Sequence, residues 1–571
     1  MFVFKSVAAL ISAFLLWSAF PPSSQSASAW LALIPLMLII RSSSPKHAFG
    51  WAWFAGVFFW CATLSWFPAI IKNGGPWILV VLGQVALAAW CALFFGAFAF
   101  ASARVWAWAG TGSSMKRILA VTLIDPLLWA GTEYLRGKIL TGFAWNFLGV
   151  SQVNNLPVVQ IASVLGVYGV SALIILFNGA ITSIALRTAE PFLARLKRQP
   201  FQAPNFQERI LRSTESLLPF ACVLICWVWG FNRINLWTRT EQTHPLWRIA
   251  IIQPNIPCYF NNNKELIQQQ REVFNEQNQM VKLANPDLTV WSETSVPYLM
   301  PENPSALAFV KRGATHTGSP ILAGVMEAEK TAVSRSAPEG VHYYNAAWLF
   351  DRDGIPLSTY RKQHLVPFGE FIPLDKTFPV LQKLAPTGVS CMPGKAPSVM
   401  KLMRANGDTL HIGSLICFED TIPDLSRKAV RAGARILALV TNDAWFNGSI
   451  EPVQHLNQAV FRSIENGVPM VRCANSGVSA TVDPVGRICA LSSNKQQADF
   501  HGFLILPVYV PTTPLPSPYT VWGDFLLAIP GMILVIGLLS ATWFQGSGFR
   551  ARFFTAKKIK GENIAKLEKR G

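Results

Sequence analysis

Apolar runs dominate the chain before residue 236, and one more lies at 521–543. In hydrocarbon every backbone N–H and C=O must find a partner without help from water, so such runs fold as helices. We read spans at 6–20, 29–40, 49–71, 77–103, 118–135, 160–186, 217–235 and 521–543, against the roughly 20 apolar residues that cross a bilayer core. The first two are short and Pro35 interrupts the second; together they read as a helical hairpin. Lys5, the run at 7–20 and Ser26-Ala27-Ser28-Ala29 also have the layout of a secretory signal peptide, but the run at 29–40 follows at once and favours an uncleaved span.

Residues 237–520 are different in kind. They hold 25 Lys/Arg and 23 Asp/Glu, a net of +2, so the other +16 of the chain's +18 lies beside the apolar spans. A nucleic-acid-binding domain would carry its excess on a folded polar face; here the charge follows the positive-inside pattern of membrane proteins. Arg41 and Lys46, then Arg104, Lys116 and Arg117, then the group from Arg187 to Arg212, and finally the basic tail after 545 fall on one face when eight spans are counted. That face is expected to be cytoplasmic, which places 237–520 in the opposite compartment. The organisation expected is a transmembrane domain over 1–236 with about seven spans, a polar domain over 237–520, a C-terminal helix over 521–543 and a basic tail over 544–571. The charged, Pro-bearing stretch 187–214 is expected to be a mobile loop.

Within 237–520, short apolar runs alternate with helical stretches. Strands are expected at Trp247–Ile252, Leu288–Trp291, Ile321–Val325, Asn345–Phe350, Ile355–Tyr360, His411–Ile416 and Ile436–Val440, and helices at Lys264–Ala284, Pro423–Ala432 and Val453–Asn466. Asp353-Gly354 marks a hairpin turn, and the alternation argues for a layered α/β domain. The nine cysteines show neither metal-ligand spacing nor a dense disulfide pattern.

Three residues at the ends of these strands are candidates to carry chemistry. Cys417 follows an apolar strand and precedes Glu419-Asp420, and a thiol at a strand-to-helix turn can meet backbone N–H groups able to hold an oxyanion. A buried structural cysteine is the competing reading. Glu293 follows the strand Leu288–Trp291, and Lys362 sits between Tyr360 and His364; alone, each has the commonplace reading of a loop carboxylate or a solvated amine. Strand ends are where α/β layers gather catalytic groups. His364 and His455, near the same motifs, read as structural or supporting residues. Asp125 and Glu133 lie in or near a span, where a carboxylate is a functional candidate, although Asp125 precedes Pro126 and also fits a helix start.

Trp291-Ser292-Glu293-Thr294-Ser295-Val296-Pro297, the run from Lys362 to Pro373 and Ile416-Cys417-Phe418-Glu419 resemble the nitrilase superfamily. Gln253-Pro254-Asn255-Ile256-Pro257, Tyr344-Asn345, Thr441-Asn442-Asp443-Ala444-Trp445-Phe446, Gln454-His455 and Gly142-Phe143-Ala144-Trp145-Asn146 extend the likeness to the apolipoprotein N-acyltransferase family. The resemblance implies a polytopic α-helical membrane domain joined to an αββα sandwich. It implies Cys417 as nucleophile, Glu293 as general base and Lys362 as oxyanion stabiliser, with Glu370, Glu419, Phe418 and Asn345 supporting them and no cofactor or metal. Phe418 stands where a relative carries Tyr, and Cys258-Tyr259-Phe260 stand where the family often has Trp.

The activity implied is transfer of an acyl chain from a membrane phospholipid, through a Cys417 thioester, to the α-amino group of a diacylglyceryl-cysteine of an apolipoprotein. The setting implied is a bacterial inner membrane with the catalytic domain in the periplasm, and a monomer is expected. Two other readings compete: a membrane-tethered nitrilase-type amidase acting on a small C–N substrate, and a non-catalytic polytopic protein. Eight aromatic-rich spans exceed what anchoring needs, and the intact Glu293, Lys362 and Cys417 set counts against the last. The apolar loop Phe378–Leu384 is a candidate lid or lipid contact.

Overall fold

The computed structural model describes residues 2–110, 114–196, 198, 200, 203–257, 264–333, 340–373, 390–490 and 501–546. Among these, five helices are long and apolar enough to cross a membrane: Trp77–Ala109, Ser114–Arg136, Val167–Leu196, Phe206–Thr243 and Pro518–Ser540. Shorter apolar helices run over Phe2–Ser18, Ser26–Arg41 and Leu156–Leu165. The break near Pro35 is satisfied by side chains: Leu33 N donates to Asn178 Oδ1 at 3.0 Å and Leu36 N to Ser12 Oγ at 3.0 Å. Such rescue is what an interrupted helix needs away from water. Asp125 is also partnered inside the bundle. It accepts from Ser102 Oγ at 2.8 Å and Trp106 Nε1 at 3.0 Å, with the Arg41 guanidinium over the Trp106 ring.

Strands β1 (Leu246–Gln253), β2 (Leu288–Trp291), β3 (Ile321–Lys330), β4 (Val341–Phe350), β5 (Pro356–Arg361), β6 (Val399–Met403), β7 (Thr409–Ile416), β8 (Ile436–Thr441), β9 (Met470–Ala474), β10 (Ala480–Val482), β11 (Ile488–Ala490) and β12 (Gly502–Tyr509) build two six-stranded sheets. Their orders are β12-β1-β2-β3-β4-β5 and β11-β10-β9-β8-β7-β6. Each sheet has a parallel centre, β1–β2–β3 in one and β7–β8–β9 in the other, with antiparallel strands outside. Alternate residues of the two sheets meet in one apolar layer that includes Ile249, Ile251, Val290, Leu349, Ile412, Ile416, Val440 and Val471. The other face of the first sheet is covered by the helices Lys264–Lys282 and Pro304–Thr317, through Phe274, Trp291, Phe309 and Val310. This is an αββα sandwich joined to a helical membrane domain.

The helix Glu451–Asn466 holds the two parts together. Its Ala459, Val460, Phe461 and Ile464 join one apolar core that runs from Leu415, Leu437 and Leu439 of the second sheet to Trp60, Trp129 and Trp145 of the membrane domain. Its polar side chains are buried as well. Gln454 Oε1 accepts from Trp66 Nε1 (3.1 Å), Trp145 Nε1 (2.9 Å) and Asn146 Nδ2 (3.2 Å), and Gln454 Nε2 donates to Pro21 O and Thr63 O, each at 3.2 Å. Farther along, Gln458 Oε1 accepts from Asn146 N at 3.2 Å and Glu465 Oε1 from Val167 N at 2.9 Å.

Two expectations need correction. Residues 187–214 are not a loop over most of their length: helices extend over Val167–Leu196 and Phe206–Thr240, and the second starts with a capping box between Asn205 and Glu208. The charges that suggested a solvated loop pair across this hairpin, Arg187 with Glu215 and Arg212 with Glu190. The span expected at 160–186 is broken at Gly166, whose φ is +68°, so the long helix starts at Val167. The Phe378–Leu384 loop, Cys258-Tyr259-Phe260 and the tail from 547 lie outside the described residues.

Replacing Gln454 with Leu strands two indole N–H groups and an amide in a dry interface. Each unpaired buried group costs about 1–3 kcal/mol. The full-length Gln454→Leu protein in detergent is therefore expected to unfold at a clearly lower temperature than the parent; an unchanged midpoint would contradict the docking role.

Candidate active site

Of the expected site residues, Glu293, Lys362 and Cys417 each come just after a strand. Glu293 lies just beyond β2, and Gly324 of β3 lets that turn close: a Cβ there would sit 2.5 Å from Glu293 Cα. Asn345 is in β4, and its carbonyl accepts from Lys362 N, just past β5, at 2.8 Å. The Lys362 carbonyl accepts from Gly394 N at 2.7 Å, fixing its other side. Cys417 follows β7 directly with φ +51°, a left-handed conformation that costs a non-glycine residue about 1–3 kcal/mol. It starts the turn Cys417–Thr421, and its side chain interacts electrostatically with Glu293 and Lys362.

Lys362 is 1% exposed, so its charge rests on protein groups alone. Its Nζ lies 2.9 Å from Glu370 Oε2 and 3.8 Å from Glu293 Oε1. Asn345 Nδ2 donates to Glu293 Oε1 and Glu370 Oε1, both at 2.7 Å, and Val366 N donates to Glu370 Oε2 at 2.9 Å. Burial opposes the ammonium, but Glu370, Cys417 and Glu293 outweigh it and hold Lys362 protonated. Burial pushes the Glu293 carboxyl up; Lys362 and the Asn345 amide pull it back while Glu370 adds to the rise. Burial and the charge of Glu293 push the Cys417 thiol well above its ordinary range, with Lys362 and the Thr441 hydroxyl acting the other way. The surroundings of the Cys417 sulfur thus favour its thiol form, with the Glu293 carboxyl and the Lys362 ammonium acting on it.

Glu419 fixes the turn. Its carboxylate accepts from Tyr360 OH (2.8 Å), Gln363 N (2.7 Å), His364 N (3.1 Å) and Ile416 N (2.8 Å), tying the strand end before Lys362 to the one before Cys417. Burial raises it to about 7 against Lys362 and these backbone donors.

Phe418 turns towards the membrane domain. Its ring stacks at 6.2 Å from Trp145, with 3° between the planes, and at 6.2 Å from Phe143; His364 stacks on it at 6.2 Å. Trp145 continues to Trp66 at 5.5 Å, and Trp66 to Phe446 at 4.9 Å. The residue after Cys417 thus belongs to an aromatic wall made jointly by both parts of the molecule. Trp66 and Thr441 were not singled out from sequence as site residues. Trp66 looks like any aromatic of a span, and only the docking of the spans on the sandwich brings it there. A buried group of Asp420, Asp443, Glu451, His455 and Arg472 lies behind the Cys417 turn.

Strand order, sandwich and strand-end site define the class: a nitrilase-type carbon–nitrogen hydrolase fold carried on membrane helices. Residues 12–180 match the family model described as the apolipoprotein N-acyltransferase N-terminal domain, and residues 248–499 match that of carbon-nitrogen hydrolase. The apolipoprotein N-acyltransferase of Geobacter metallireducens is 32% identical over 497 residues, covering 86% of this chain and 88% of that protein. That of Azotobacter vinelandii is 30% identical over 512 residues, covering 89% of each. A carbon-nitrogen hydrolase from Helicobacter pylori matches with 17% identity and a TM-score of 0.34, over 50% of this chain and 95% of that one. The chain belongs to the apolipoprotein N-acyltransferase family.

Lys362→Met leaves Glu293 and Glu370 facing each other across Asn345 without their cation. Breaking a buried pair in this way costs about 3–5 kcal/mol when both carboxylates are ionised. A carboxyl whose native pKa is raised above its unfolded value stabilises the fold below the unfolded value, and that contribution is lost as pH rises through the native one. Glu293 is already raised from 4.5, and the variant raises it further. Thermal melts of Lys362→Met are expected to fall between about pH 5 and pH 8 more steeply than those of the parent; parallel profiles would refute the assignment of this charge.

Proposed function

We propose that this protein N-acylates apolipoproteins: Cys417 takes an acyl chain from a membrane phospholipid and passes it to the α-amino group of an N-terminal diacylglyceryl-cysteine. Glu293 accepts the thiol proton as the sulfur attacks the ester carbonyl. Lys362 and backbone N–H groups face the oxyanion, each such donor being worth about 3–4 kcal/mol. Collapse of the adduct breaks the ester C–O bond, Glu293 returns the proton to the departing lysophospholipid oxygen, and a thioester remains. In the second half the amine attacks that thioester, Glu293 takes the amine proton, and the Cys417 thiol is restored as the amide forms. One thiol serves both halves, so the kinetics are ping-pong. Glu370 holds Lys362, Asn345 orients both glutamates, Glu419 fixes the turn, and Phe418 lines the acyl path.

The observation that carries this reading is the aromatic wall of Phe418, Trp145 and Phe143, which joins the Cys417 turn to the membrane helices. Drawing an acyl chain into water costs about 0.8 kcal/mol per CH₂. An apolar wall that runs from the Cys417 turn into the membrane domain offers the chain a route that avoids that cost, and a small amide substrate would have no use for it. In this reading the spans of 1–236 and the helix at 521–543 are multi-pass, the tail at 544–571 is cytoplasmic, and the 237–520 domain of a monomer faces the periplasm of a bacterial inner membrane, following the Lys/Arg asymmetry. No nucleic acid and no cofactor takes part.

Incubating the protein with phospholipid alone and mapping its peptides by mass spectrometry is expected to show one acyl mass on Cys417, sensitive to hydroxylamine. Cys417→Ala is expected to lose both the adduct and conversion of diacyl to triacyl lipoprotein. Full activity in that variant would sink the assignment.

A further inference from the structure

The acyl-transfer steps leave the charged group behind the Cys417 turn without a role. His455, in the helix Glu451–Asn466, is 2% exposed. Its Nε2 lies 2.9 Å from Asp420 Oδ1, and Asp420 belongs to the Cys417–Thr421 turn. Its Nδ1 lies 3.1 Å from Asp443 Oδ1, which also accepts from Thr441 Oγ1 at 2.9 Å. The same Thr441 hydroxyl interacts with the Cys417 side chain. The ring thus spans the two segments that flank the sulfur.

Other elements close the group. From β9, Arg472 Nη2 binds Asp443 Oδ2 at 2.8 Å and lies 3.0 Å from His455 Nδ1, while its Nη1 donates to Val478 O at 2.6 Å. Glu451, one helical turn before His455, approaches Nδ1 at 3.6 Å. From the membrane domain, Trp145 packs its ring 5.6 Å from that of His455 and donates to the adjacent Gln454. Burial and Arg472 oppose an imidazolium but are outweighed by Asp420 and Asp443, while burial and Asp443 push the Glu451 carboxyl towards its neutral form. Two opposed ring N–H groups can hold two carboxylates on opposite sides; a Gln or Asn amide offers donors at one end only.

We propose that His455 is a positioning residue for acyl transfer: it clamps the Cys417 turn, through Asp420, to the Thr441–Asp443 segment and to Trp145 of the membrane domain, and it balances the carboxylates behind the sulfur. Docking of the membrane domain thereby sets the reacting thiol. Two adjacent residues act in opposite directions, Gln454 binding the spans and His455 binding the turn. This inference rests on Cys417 being the nucleophile.

The test uses the full-length protein in detergent and two readouts, which are acyl-transfer kinetics and the pH dependence of Cys417 alkylation by iodoacetamide with the modified peptide identified by mass. The ionisable groups facing the thiol are Glu293, Lys362 and Asp443, and those facing His455 are Asp420, Asp443, Glu451 and Arg472. His455→Gln removes a positive charge behind the sulfur. Its alkylation midpoint is expected to rise by about one pH unit, which at neutral pH slows alkylation about tenfold. Its kcat is expected to fall by a similar factor while KM for phospholipid stays within about twofold, since the residue touches no substrate. The double variant Asp420→Asn/His455→Gln removes one charge of each sign and is expected to bring the midpoint back towards the parent. A parental midpoint with parental kcat in His455→Gln, or no return in the double variant, overturns the proposal. If His455→Gln does not fold, Asp420→Asn alone decides: it keeps an acceptor for Nε2 and removes a negative charge, so its midpoint is expected to fall, and an unmoved midpoint overturns the proposal. Failure of the nucleophile assignment shows separately, as activity retained in Cys417→Ala.

Discussion

One buried amide, that of Gln454, is the contact on which the geometry of this protein depends. Its oxygen and nitrogen together reach the end of the first helix, the end of the Pro45–Thr63 helix and the loop carrying Trp145. The surroundings exclude water, so each of these groups would be left unpaired if the domains shifted. Polar groups in such a place specify one arrangement, because an apolar interface can slide at little cost and a saturated hydrogen-bond set cannot. The apolar core around it supplies the adhesion, and the amide selects the register.

That register decides what faces the Cys417 turn. Trp145 is bound to Gln454 on one side and lies parallel to Phe418 on the other, so the residue after Cys417 is aligned with a membrane-domain loop. The charged half of the site is organised on the opposite side, where Lys362 is held by Glu370 and approached by Glu293. Lys362 is held protonated there, while burial raises both the Glu293 carboxyl and the Cys417 thiol. For the proposed acyl transfer this suits a site close to lipid, because an uncompensated thiolate in apolar surroundings is unfavourable.

Much of the sandwich was legible in the sequence, for a local reason. The runs Leu288–Trp291 and Ile436–Thr441 are buried along their whole length, and continuous short apolar runs between turn residues are what central parallel strands look like. Asp353-Gly354 marked the β4–β5 hairpin by turn chemistry. Reading charge as exposure failed for Arg187, Glu190, Arg212 and Glu215, which pair with one another across two helices. It would fail again for the helix Glu451–Asn466, whose Gln454, His455, Arg462 and Glu465 are all buried. Nothing in the neighbourhood of a polar residue announces that a second domain will cover it.

By itself, the sequence determined that this chain has membrane helices and a layered α/β domain, and which thiol, amine and carboxylates stand at strand ends, because hydrophobic period, strand length and turn residues act over a few neighbours. The tertiary structure alone decided that Glu370 and Glu293 share Lys362, that Phe418 stacks on Trp145, and that His455 spans Asp420 and Asp443. These are contacts between distant segments, and their distances exist only after the two sheets pair and the membrane helices close over the helix between them.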